Sequence, residues 1–154
     1  MLAELDLDLS RLHFTGLLSR PDMVTVMRAS DAHVYLTVPF VLSWSLLDAM
    51  ACGCLLVASD TAPVREFLED GVTGLLVPPH DPAALAARIE AALDGAGGGG
   101  DALRRMRARA RAKIVGGFDA QRVVWPKKRA WLEAAVASPG APAPARARPV
   151  VRRP

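Results

Sequence analysis

From Val38 to Ser59 the chain carries one charged residue, Asp48, and one glycine, Gly53. Few folds accommodate that stretch. A strand-like run ends at Thr37, a short loop follows, and a helix starts near Ser43. Gly53 ends it, and a second apolar run begins at Cys54. Leu46, Leu47 and Met50 fall at i, i+1 and i+4, an apolar stripe suited to packing on a sheet. Ser45, Asp48 and Cys52 fall on the other side. Ser43 is suited to cap the helix, since its hydroxyl can accept from an N–H of the first turn. Gly53 fits the left-handed residue just beyond the last turn. Asp48 therefore sits over a helix start and faces away from the core. The pattern alone leaves two readings open: a residue that meets a ligand, or an ordinary solvated acid.

The same stretch is long enough to span a bilayer. Pro39, Gly53 and the central Asp48 oppose that reading, the last costing about 2.5–3.5 kcal/mol on insertion scales. No basic flank accompanies the stretch. A β-α-β unit with strands covered on both faces accounts for the same hydrophobicity. The start of the chain is acidic and too short for a secretory signal, and a cytoplasmic location is expected.

The remaining sequence alternates in the same manner. Strands are expected at residues 11–15, 33–37, 54–58 and 74–77. Helices are expected at 21–28, 43–52, 63–68 and 82–93, the last capped by Asp81. Strands alternating with helices at this spacing predict an α/β fold, a Rossmann-like parallel sheet with helices on both faces. This core is expected over residues 1–93 and a glycine-rich linker over 94–100. C-terminal helices should fill 101–137, broken or kinked by Pro126 near Trp125. Residues 138–154 are Pro, Ala and Arg with little to bury, and are expected to be disordered.

The net charge of +3 comes largely from that end, where Arg146, Arg148, Arg152 and Arg153 stand without acids. Arg104, Arg105, Arg107, Arg109, Arg111 and Lys113 form a second cluster. On a helix they scatter around the axis, without interleaved aromatics, so a solvated face is expected and no nucleic-acid partner. An anionic membrane surface is the minor alternative, as a weak peripheral contact. Cys52 and Cys54 are too close for a disulfide framework. His13, His33 and His80 lie far apart, so no metal is expected. The glycines at 95–100 lack the Gly-Lys-Ser/Thr of a phosphate loop.

Four pieces, in order, carry a family resemblance. Leu47-Asp48-Ala49-Met50-Ala51-Cys52-Gly53 is similar to the Leu-Glu-Ala-Met-Ala-x-Gly run of retaining GT-B glycosyltransferases of the group-1, family-4 type. The stretch from Val57 to Glu66 resembles the same family, as does Asp70-Gly71-Val72-Thr73-Gly74-Leu75-Leu76-Val77-Pro78. Upstream, Leu12-His13-Phe14-Thr15-Gly16 resembles the strand and glycine that open the nucleotide-base pocket. The likeness runs from about Leu12 to about Leu93. Two departures stand out. Phe40 occupies the place of the family's first glutamate, and Asp48 replaces the second with a side chain one methylene shorter. A loop reading Pro-Phe-Val-Leu-Ser-Trp-Ser resembles certain subgroups.

The resemblance implies the donor-binding half of a GT-B fold. Such an enzyme moves a hexosyl group from a nucleoside diphosphate sugar to an acceptor hydroxyl with retention. It implies that Asp48 holds the ribose hydroxyls, because a carboxylate can accept from both at once. Backbone N–H groups of Leu42, Ser43 and Trp44, in the loop that Phe40 opens, would meet the diphosphate or sugar. Gly16 would let the base approach the backbone. No cofactor is implied. The acceptor-binding N-terminal half is not recognisable here, which makes a fragment, inactive alone, the expectation. Trp125 and Trp131 would then face that partner domain, or else cap this domain's own core. A nucleotide-sugar epimerase fits the Ala-Met-Ala-x-Gly run less well. The non-enzymatic alternative is a remnant that binds nucleotide or protein without turnover.

Overall fold

The computed structural model describes residues 8–94 and 100–137. Three parallel strands, β1 (His33–Tyr35), β2 (Leu56–Ser59) and β3 (Leu75–Val77), lie in chain order. His33 stands opposite Leu56, and Ala58 is opposite Leu76. Around them come α1 (Arg20–Ala29), α2 (Trp44–Cys52), the single turn α3 (Ala62–Arg65), α4 (Pro82–Asp94) and α5 (Asp101–Phe118). The result is Rossmann-like. Every residue of β2 is buried, because the strand is covered on both faces.

Alternation along β2 sorts the core. Leu56 and Ala58 join Met27 of α1, Leu46, Ala49 and Met50 of α2, and Val64 of α3. Leu55 and Val57 point the other way, toward Ala92 of α4 and Met106 of α5. Residues Ala110 and Ile114 return to the first cluster. The first packing unit accordingly runs through Ile114 and takes in most of α5, beyond the boundary expected at residue 93.

Local chemistry sets the helix ends, and at Ser43, Gly53 and Asp81 it does so as the sequence predicts. Ser19 caps α1, accepting from the Asp22 N–H, and Pro21 lies in the first turn. Ser43 caps α2 by accepting from the Ser45 N–H. Gly53 follows at φ +79°, its N–H donating to carbonyls of the last turn. Asp81 caps α4 through a 2.9 Å bond from the Ala84 N–H.

The strand expected at residues 11–15 is absent. The chain instead makes a short 3-10 turn, Leu9–Arg11, and reaches Ser19 without regular structure, with Phe14 and Leu17 exposed. A strand exists through its ladder, and among the described residues none lies alongside to provide one.

The basic cluster on α5 also departs from a wholly solvated face. Arg107 Nε donates to the Gly53 carbonyl at 2.7 Å, and Arg111 donates to the Ala51 carbonyl. Lys113 Nζ reaches the carbonyls of Glu66 and Phe67 at 3.1 and 2.7 Å. These cations complete the open carbonyl ends of α2 and of the turn after α3. The side chains of Arg105 and Arg109 are exposed and make no hydrogen bond or ion pair among the described residues.

A second packing unit begins at Val115. The Asp119 side chain accepts from the Arg122 N–H. Residues Ala120–Val124 then form a π-helical turn, leading into α6 (Trp125–Ala137). The irregularity therefore precedes Trp125, and Pro126 sits in the first turn of α6, where its missing N–H is tolerated. Trp125 and Trp131 are largely exposed. Most of the linker expected at 94–100, and the tail at 138–154, fall outside the described residues. Among the described residues no helix is long and apolar enough to cross a membrane.

Candidate functional site

Asp48 stands on the second turn of α2, on the side opposite the buried Leu46, Ala49 and Met50. Its carboxylate is 28% exposed and Oδ1 lies 3.1 Å from Nη2 of Arg20, whose side chain is 74% exposed. Arg20 opens α1, so the pair ties the outer face of α2 to the head of α1. The contact spans 28 residues of sequence. Gly16 lies just upstream of that head at φ +62°, and a Cβ built there meets nothing within 4 Å. Its glycine is required by the left-handed backbone rather than by crowding. Arg20 carries no motif in the sequence, and only the tertiary contact reveals it.

The loop into α2 divides by burial. Phe40 and Trp44 are 72% and 81% exposed, whereas Leu42 packs against the first core cluster. Phe40 presents an exposed ring where the resembled family has a carboxylate. The Ser43 N–H donates to the Tyr35 hydroxyl at 3.0 Å. Of the three expected anion donors, Ser43 is therefore already engaged. The N–H groups of Leu42 and Trp44 make no hydrogen bond among the described residues. Ser43 Oγ and Ser45 Oγ lie 3.0 Å apart beside them.

A cleft of about 570 Å³ opens at the carboxyl ends of all three strands. Leu36, Thr37 and Val38 enter from β1, Ser59 from β2, and the run from Val77 to Pro82 from β3. Leu85 and Val77 tie it to the face that α4 covers, opposite α2. Its polar groups are partly engaged: Ser59 Oγ accepts from the Thr37 N–H at 3.0 Å, and Asp81 caps α4. His80, at φ +64°, is the non-glycine residue with left-handed backbone among the described residues. None of the site residues expected from the sequence lines this cleft. The run Pro78-Pro79-His80-Asp81 directly after a strand was the available signal, since such loops line the crevice of an α/β sheet.

At the end of β2, Arg65 grips Asp60 with Nε to Oδ1 at 2.5 Å and Nη2 to Oδ2 at 2.6 Å. That fork, chiefly its hydrogen bonds, holds the Asp60 carboxyl below the usual range. Burial lowers the pKa of His33 on β1. Among the described residues no three His, Cys, Asp or Glu side chains are grouped as metal ligands.

The family model for glycosyl transferases, group 1, matches residues 1–95. A glycogen synthase of Mycobacterium tuberculosis is 31% identical over 121 residues, covering 79% of this chain and 28% of that protein. Sucrose-phosphate synthase from Thermosynechococcus elongatus superimposes with a TM-score of 0.68 at 24% identity, over 84% of this chain and 31% of that one. Anabaena HepE in complex with UDP-glucose does so at 0.60 and 23%, over 77% and 31%. The chain thus spans under a third of the length of these relatives. The structural likenesses establish the fold, a Rossmann-like part of a GT-B architecture. Sequence and fold together make this chain a member of the group 1 glycosyl transferases.

Proposed function

We propose that the chain is the donor-binding part of a retaining hexosyltransferase that uses a nucleoside diphosphate sugar. The observation that carries this reading is Asp48, partly exposed on the outer face of α2 and joined to the head of α1 just beyond Gly16. A carboxylate there can accept from two ribose hydroxyls, and the left-handed Gly16 turn leaves open space for a base. The N–H groups of Leu42 and Trp44 would serve the diphosphate, at a helix N-terminus that favours anions. As the glycosidic bond to the leaving diphosphate breaks, charge gathers on its oxygens. Fixed donors at the start of α2 would stabilise that charge. The UDP-glucose complex of HepE supports a donor of this class. The acceptor would be bound by an N-terminal half outside these residues, so transfer by this chain alone is not expected.

Phe40 favours a second reading, a remnant that binds nucleotide without turnover, because the loop presents an exposed ring rather than a carboxylate. Calorimetric titration of the chain with UDP, ADP and GDP tests the shared part of both readings. Charged hydrogen bonds contribute about 1.5–3 kcal/mol, so Asp48→Asn should lower affinity roughly tenfold or more. Asp48→Glu should retain or improve it. Equal binding by all three forms would return Asp48 to the solvated face.

A further inference from the structure

We infer that Arg20 is an exchangeable partner: it holds Asp48 in the free chain and passes to the diphosphate when Asp48 takes the ribose hydroxyls. This rests on the reading of Asp48 proposed above.

Three observations carry it. Arg20 is the first residue of α1, where the helix dipole opposes a cation and favours an anion close by. Asp22 in the same turn accepts a 2.5 Å bond from the Ser19 hydroxyl, and the carboxylate that Arg20 pairs with is Asp48. Second, the Arg20–Asp48 contact is single-pointed. One bond joins Nη2 to Oδ1 at 3.1 Å, and Asp48 Oδ2 makes none among the described residues. The Arg65–Asp60 pair in the same molecule is a two-bond fork at 2.5 and 2.6 Å. One pair is fixed and the other is open on both sides. Third, the Arg20 side chain is exposed enough to swing, and an exposed ion pair contributes little that binding must overcome.

The exchange conserves charge pairing. A ribose hydroxyl replaces the guanidinium as donor to Asp48, and the guanidinium gains phosphate oxygens, which it can meet in a fork that lysine cannot make. Arg20 would then report on the phosphates, and Asp48 on the sugar of the nucleotide.

Titration of the full chain with the best-binding nucleoside diphosphate and with its parent nucleoside separates these roles, with NMR shifts reading the weaker ligand. Arg20→Met should lower diphosphate affinity about tenfold or more, the loss of one charge-assisted contact. Nucleoside affinity should stay equal or rise, since Asp48 is released. Arg20→Lys should recover part of the diphosphate loss, and its thermal midpoint checks that the fold is intact. Equal losses for both ligands would make Arg20 a simple orienter of Asp48 and overturn the exchange. No loss for either would make the pair a bystander and overturn it equally. A wild-type chain that binds neither ligand would remove the donor-site reading itself, and the exchange with it.

Discussion

Replacing Arg107 by methionine removes one charged donor while keeping an unbranched side chain of similar reach along α5. In the wild type its Nε donates at 2.7 Å to the Gly53 carbonyl, a partly buried acceptor just beyond the last turn of α2. Hydrogen bonds to charged groups contribute about 1.5–3 kcal/mol, and the favourable placement of a cation at a helix C-terminus is about 0.3–1 kcal/mol of that kind. Gly53 itself sits at φ +79°, so the carbonyl cannot be re-aimed without disturbing the cap. We expect a loss of about 2 kcal/mol, and a melting temperature lower by roughly 8 °C at about 4 °C per kcal/mol for a chain of this size. Urea and thermal denaturation followed by far-UV circular dichroism measure it. Arg109→Met is the control, since Arg109 lies on the same helix without a bond among the described residues. It should stay within about 0.5 kcal/mol of the wild type. A similar loss in both variants, or none in Arg107→Met, would refute the view that α5 holds α2 through its carbonyl end.

Two further outcomes follow from burial. Leu46 is fully buried one turn before Met50, so Leu46→Ala should lower stability by about 2–5 kcal/mol in chemical denaturation, and a loss under about 1 kcal/mol would contradict the packing described. Burial depresses the pKa of His33 below its ordinary 6.5, so the unfolded chain binds that proton first; the stability that His33 carries should be fully present well above pH 6.5 and be lost as the pH falls through that value and below it. Urea midpoints across this range should fall less steeply in His33→Asn, and identical slopes would dismiss the assignment.

The elements legible in the sequence are those whose information is local. Ser43, Gly53 and Asp81 act within a few residues of themselves, and the caps they form match the expectation. The apolar stripe of α2 needs only helical counting. The alternation of strands and helices marks the parallel sheet, although strand ends shift by a residue or two. What escapes is tertiary. Arg20 meets Asp48 across 28 residues, and Arg107 meets Gly53 across 54, distances at which a single sequence carries no register. The segment at 11–15 reads as a strand by composition, yet a strand requires a neighbour's hydrogen bonds. Pro126 predicts a disturbance near Trp125, and the chain absorbs it as a wide turn ahead of the proline. Of the site residues, Asp48 is ion-paired with Arg20, four residues beyond Gly16 in the chain, whereas the Ser43 N–H is withdrawn by the Tyr35 hydroxyl.

The order β1-β2-β3 repeats the order of the chain, and this has an entropic consequence. Each strand docks beside the one before it, so every crossover in the sheet closes a loop of modest length. Closure cost rises only with the logarithm of that length. The later helix is different. α5 must reach back to the ends of α2 and α3 before its cations find their carbonyls. Until it does, the carbonyls of Ala51 and Gly53 at the end of α2 have only water for partners. The sheet can accumulate by short steps, while the clasp that secures its principal helix is delivered from far along the chain.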